Sequence, residues 1–105
     1  TSKVYQTYHY YDSTGKLISN ESHVEGTIDY SKGYHTFAVQ WEPGLIQYYI
    51  DGKKTKKIEW PGVASQDMYV LANLAVWWGW AKSPNATTNF PAQYSIDYIR
   101  VYEKK

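Results

Sequence analysis

An all-β sandwich is the fold class this sequence predicts, and three observations predict it. Apolar and polar side chains alternate with a period of two over several runs of roughly six to eight residues, the pattern of strands with one buried face. Turn formers recur between those runs, at Asp12-Ser13-Thr14-Gly15, Tyr30-Ser31-Lys32-Gly33, Glu42-Pro43-Gly44, Asp51-Gly52 and Pro61-Gly62, so the strands are short and regularly spaced. No segment longer than a turn carries a 3.6-residue apolar period with caps. The 105 residues suffice for one small domain with one core, residues 1–105.

Taken in order, Val4 to Tyr11 alternates Val4, Gln6, Tyr8 and Tyr10 against Tyr5, Thr7, His9 and Tyr11, which predicts a strand closed by the turn at Asp12. Lys16 to Ser22 is polar and reads as loop, followed by a short strand over His23 to Ile28. Tyr34 to Trp41 alternates again, with His35, Phe37, Val39 and Trp41 on one face, and ends at Pro43-Gly44. Leu45 to Ile50 and Lys53 to Trp60 flank Asp51-Gly52, the dipeptide a tight type I′ hairpin prefers. The return strand opens Lys53-Lys54-Thr55-Lys56-Lys57, a basic run that suits a lysine-protected sheet edge. Met68 to Val76 reads as a core strand that places Asn73 and Trp77 on one face. Lys82 to Phe90 reads as loop and Tyr94 to Tyr102 as a final strand.

Composition excludes several functions. Eleven basic and ten acidic residues nearly cancel, so the chain carries no electrostatic footprint for nucleic acid or an anionic membrane, and a neutral partner is expected. The absence of cysteine rules out disulfides, thiolate metal sites and cysteine nucleophiles. Neither a signal peptide nor an apolar run long enough to span a bilayer is visible, as expected of a soluble, processed or excised chain. Twelve Tyr and five Trp supply flat faces with polar tips. Trp77, Trp78 and Trp80 crowd around Gly79, too many for a core that already holds Trp41 and Trp60, so at least one is expected at the surface, where an indole can stack on the C–H face of a sugar. Packing within the sandwich is the alternative. Asn73 beside Trp77 would add hydrogen bonds, unless it is a satisfied buried amide.

Three segments together carry a resemblance. Tyr34-His35-Thr36-Phe37-Ala38-Val39-Gln40-Trp41-Glu42-Pro43 with Ile46-Gln47-Tyr48-Tyr49-Ile50-Asp51-Gly52, then Leu71-Ala72-Asn73-Leu74-Ala75-Val76, then Ile96-Asp97-Tyr98-Ile99-Arg100-Val101-Tyr102 resemble glycoside hydrolase family 16, the laminarinase and lichenase group, over about two thirds of the chain. The resemblance implies a concanavalin-like jelly roll of two stacked sheets, a secreted extracellular location, and a concave face that binds a β-glucan or a related neutral polysaccharide. It also implies that His9 faces the cleft, where an ordinary strand histidine is the alternative, and that Asp97 helps hold a structural calcium. Otherwise Asp97 would bond Arg100 or backbone. Calcium takes six or more oxygens, and no other cofactor is expected.

The sequence departs from the family pattern at the catalytic strand. There the pattern Glu-x-Asp-x-Glu uses period two to point three carboxylates into the cleft, with nucleophile and acid/base about 5 Å apart. No two of the ten carboxylates here are separated by two positions. The chain thus resembles the C-terminal part of a retaining endo-β-glucanase, expected to bind glycan without cleaving it alone. A stand-alone carbohydrate-binding module and a structural or oligomerisation sandwich are the alternatives. A jelly roll without its first strands exposes strand edges, so a homodimer or a complementing chain is expected to complete it.

Overall fold

The computed structural model describes residues 2–76 and 83–105. The chain divides into two compact units, the first ending at Asp67 and the second running from Met68 to Lys105. Among the described residues the regular structure is all strand, in two antiparallel sheets. One is the two-stranded hairpin of β1 (Lys3–Tyr11) and β2 (Leu17–Glu25). The other has the order β3 (Phe37–Glu42), β4 (Leu45–Ile50), β5 (Lys53–Glu59).

Both sheets lie in the first unit and form a β-sandwich. Tyr8 from β1 packs with Ile46 of β4, Ile58 of β5 and Val63, and Tyr10 and Tyr48 close over that cluster. Polar bonds cross the same interface. The Tyr48 hydroxyl donates to the Thr7 carbonyl at 3.2 Å, and Lys56 Nζ donates to the carbonyls of Asn20 at 2.6 Å and Gln6 at 3.2 Å. Ala64 N–H donates to the Tyr8 hydroxyl at 2.9 Å, which ties the segment after β5 back onto β1. Gly62 makes that segment possible, because a Cβ there would run into the Trp60 indole.

The turns follow their residues. Asp51 and Gly52 take φ values of 49° and 76°, both left-handed, as a type I′ turn requires. At the β1–β2 tip one Asp12 oxygen accepts from the N–H of Thr14 at 2.8 Å, the Thr14 hydroxyl at 2.6 Å and the N–H of Lys16 at 3.0 Å, an Asx-type closure. These bonds, the Thr14 hydroxyl first, hold the Asp12 carboxyl below the usual carboxylate range.

Two expectations are corrected. The polar run after Lys16 is a strand rather than a loop: β2 starts at Leu17, and Ile18, Ser22 and Val24 are partly buried while Leu17, Ser19, Glu21, His23 and Glu25 are exposed on the other face. Pairing to β1 decides the conformation, and polarity reports only the open face. Conversely, the segments 68–76 and 94–102 form no ladder in the second unit, and Leu71, Val101 and Tyr102 are exposed. A strand exists only with a hydrogen-bonding neighbour, which its own composition cannot supply. The lysine run does mark an edge, since β5 is the outer strand of its sheet, but Lys56 leaves that role to clamp the two sheets.

Candidate functional site

The outward face of the β1–β2 hairpin is the candidate binding surface. Alternation sends Gln6 and Tyr8 into the sandwich and leaves Tyr5, His9 and Tyr11 outside. The register then sets Tyr5 opposite His23, Thr7 opposite Glu21, His9 opposite Ser19 and Tyr11 opposite Leu17. From Tyr5 to Tyr11 the face runs roughly 20 Å at the rise of an antiparallel strand. Tyr5 and Tyr11 are 50% and 72% exposed, large values for rings on a folded strand, and they make the face aromatic at both ends.

Polar groups sit between and beside the rings. His9 Nδ1 lies 2.8 Å from the Ser19 hydroxyl across the ladder, which fixes the imidazole and leaves Nε2 as its second polar atom. The His23 and Tyr5 rings are 5.7 Å apart and tilted by 52°. Glu25 ends the row, with Lys3 Nζ at 3.5 Å and His23 Nε2 at 3.7 Å. Exposed aromatic bodies flanked by donors and acceptors suit a ligand that alternates C–H faces with hydroxyls.

His9 therefore lies on the open face that alternation assigned to it. Asn73 and Asp97 are exposed residues of the second unit, and Trp77, Trp78 and Trp80 lie outside the described residues. The structure brings His9 against Ser19, a partner that the loop reading of residues 16–22 could not supply, and sets the Tyr5–His23 pair farther along the same face. The signal was present in the turn: counting outward from Asp12 and Lys16 sets Ser19 against His9 and His23 against Tyr5.

Several carboxylates of the first unit have local tasks. Asp51 accepts the Thr36 N–H at 2.9 Å and lies 2.8 Å from His35 Nδ1, and its own N–H donates to the Thr36 carbonyl at 2.8 Å. His35, then Thr36, hold its carboxyl below the usual range. This brace ties the β4–β5 turn to the residues leading into β3, and the sequence reading did not anticipate it. Glu59 pairs with Lys57 at 2.7 Å and Glu42 accepts from the Gln40 amide at 2.7 Å. Among the described residues no three His, Asp or Glu side chains converge as a metal would require. Asp97 alone is a poor fit for calcium, and Arg100 lies with its guanidinium carbon 4.4 Å from the centre of the Tyr98 ring.

Comparison with known proteins gives this geometry a context. The Glycosyl hydrolases family 16 profile matches residues 1–100. The chain is 33% identical over 102 residues to a beta-glucanase of Paenibacillus macerans, covering 95% of this chain and 40% of that protein. It is 33% identical over 107 residues to a beta-glucanase of Bacillus licheniformis, covering 100% of this chain and 41% of that protein. It is 31% identical over 90 residues to the glucan endo-1,3-beta-glucosidase A1 of Niallia circulans, covering 72% of this chain and 13% of that protein. The chain thus spans well under half the length of these relatives. No solved structure gives a significant match.

Proposed function

Because the chain belongs to glycosyl hydrolase family 16, we propose that it is the glycan-binding part of an extracellular endo-β-glucanase, and that its catalytic carboxylates come from polypeptide outside these residues. The observation that carries this reading is the outward β1–β2 face, where exposed Tyr5 and Tyr11 frame His9 and His23. A neutral β-linked polysaccharide fits this face better than a charged one, because its glucose units carry no charge to match the Lys3–Glu25–His23 row and need only stacking and hydrogen bonds. Binding on this face is assigned to His9; Asn73, Trp77, Trp78 and Trp80 are further candidates from the sequence pattern alone. The sequence contains no Glu-x-Asp-x-Glu pattern, so no hydrolytic step is assigned to the chain alone.

Fluorescence titration with laminarin and with lichenan tests the reading. Saturable binding is expected with one or both, without release of reducing ends. His9→Ala should weaken it about fivefold, since one hydrogen bond to a sugar contributes on the order of 1 kcal/mol. Absence of binding to either glucan refutes the glycan role, and turnover by the chain alone refutes the assignment of catalysis elsewhere.

A further inference from the structure

Glu21 stands in the middle of the outward β1–β2 face with its charge uncompensated. Alternation along β2 exposes Ser19, Glu21 and His23 on that side, and the register sets Glu21 opposite Thr7, between the His9–Ser19 and Tyr5–His23 pairs. At the end of the same row Glu25 is offset by Lys3 at 3.5 Å. Among the described residues Glu21 makes no such ion pair. The cation that senses it is Lys56, whose ammonium is turned to the inner side of the hairpin and spent on the carbonyls of Gln6 and Asn20.

The neighbours of Glu21 complete a polar centre between the exposed rings of Tyr5 and Tyr11. His9 offers its Nε2 there, because Nδ1 is engaged by the Ser19 hydroxyl at 2.8 Å, and Thr7 shares the outward parity of Tyr5 and His9. A carboxylate only accepts hydrogen bonds, so it matches a ligand that presents O–H donors, and bonds to a charged acceptor are stronger than neutral ones. The same charge opposes an anionic ligand. Two unit charges about 4 Å apart change affinity about fivefold even in bulk water, and by more at a protein surface.

We propose that Glu21 sets the charge specificity of this face: its carboxylate accepts hydrogen bonds from the hydroxyls of an uncharged glucan and turns away a polysaccharide that carries carboxylate groups. The inference rests on the glycan-binding reading above and adds a selecting residue to it. Tyr5 and Tyr11 stack on a sugar ring whatever its substituents, so they do not discriminate by charge. Lys3 and Glu25 offset one another at the end of the row. Discrimination by charge therefore falls to the carboxylate between the rings.

Laminarin and lichenan are each titrated beside a carboxymethylated preparation of the same glucan, at low salt and at pH 8, above the range in which imidazole ordinarily takes up a proton. The chain should prefer the uncharged form by about fivefold or more, and the gap should narrow in about 1 M salt. Glu21→Gln keeps the size of the side chain and should erase most of the preference, through tighter binding of the carboxymethylated glucan. Glu21→Asp should retain it. Glu59→Gln removes one negative charge from β5, on the other sheet, and should leave the preference unmoved. Equal binding of the two forms by the unsubstituted chain, a preference that survives Glu21→Gln, or one lost equally with Glu59→Gln overturns the proposal. Binding with an unmoved ratio refutes this inference alone, whereas failure to bind any of the polymers refutes it together with the glycan reading.

Discussion

Ile58→Ala probes whether the two sheets of the first unit stand on the shared cluster that joins them. Ile58 is 7% exposed and packs with Tyr8, Ile46 and Val63, so it touches both sheets from the edge strand β5. The substitution removes three buried carbons, which at about 0.8 kcal/mol each forfeits about 2.4 kcal/mol of transfer free energy. A residual cavity adds to this in proportion to its volume. No large side chain in the described part of the molecule is below 2% exposure, so the walls are shallow enough to relax and the cavity term stays small. The expected loss is about 3 kcal/mol, a large fraction of the 5–15 kcal/mol typical of a domain. Urea unfolding followed by tyrosine and tryptophan fluorescence measures it. With a slope of about 1–2 kcal/mol per molar, the midpoint should fall by roughly 1.5–3 M at unchanged slope. A fall below about 0.5 M means that the hairpin does not depend on this cluster, and the sandwich described above would be wrong.

Three further perturbations address single contacts. Tyr8→Phe deletes the acceptor of the Ala64 N–H and should cost about 1–2 kcal/mol by the same unfolding assay; an unchanged midpoint would show that the segment after β5 is held by packing alone. Gly62→Ala drives a methyl group into the Trp60 ring and should cost about 1–3 kcal/mol, with lost Trp60 burial visible as a red-shifted emission; wild-type stability and spectrum would contradict the close approach. The Asp51 carboxyl is held low by His35 and Thr36, so its contribution to stability is complete above the unfolded carboxylate pKa of about 3.9 and disappears as pH falls through the lower folded value. Asp51→Asn keeps a residue that tolerates the left-handed turn and should flatten the loss of stability with acid below pH 4, whereas an acid profile parallel to wild type would rule out the brace.

Alternation made much of the first unit legible. β1 and β3 were marked by period two, and β4 and β5 by the Asp51-Gly52 turn between them, because only a few residues accept positive φ at both positions. The side of β1 that carries His9 followed from the same periodicity. Contacts that depend on a partner distant in the chain were not legible. Lys56 reads as one of four edge lysines until β1 and β2 bring the carbonyls of Gln6 and Asn20 to its ammonium, and His35 reads as a strand residue until the β4–β5 turn returns Asp51 to it. In the second unit the apolar runs from Met68 and from Tyr94 carry the composition of strands and still form no ladder, since composition records what a segment favours once paired.

The polar strand β2 joins these observations to function. Ser19, Asn20 and Glu21 hid the strand because every second residue of it faces away from the core. A sandwich strand that has only water to meet on that side commonly carries charge, yet the face built by β1 and β2 holds two exposed tyrosines and two histidines, with Glu21 as the acidic member of its middle rows. Solubility alone does not call for Tyr5 and Tyr11 at 50% and 72% exposure. The proposed stacking on a neutral, hydroxyl-rich ligand would call for both, and would account for the polarity of β2 and the aromaticity of β1 by one cause. On that account, replacing Tyr5 and Tyr11 together by Ser should leave the unfolding free energy within about 0.5 kcal/mol of wild type, as for other exposed positions, while glucan binding falls by tenfold or more. A double variant that loses stability and keeps its binding would show that the rings serve the fold instead.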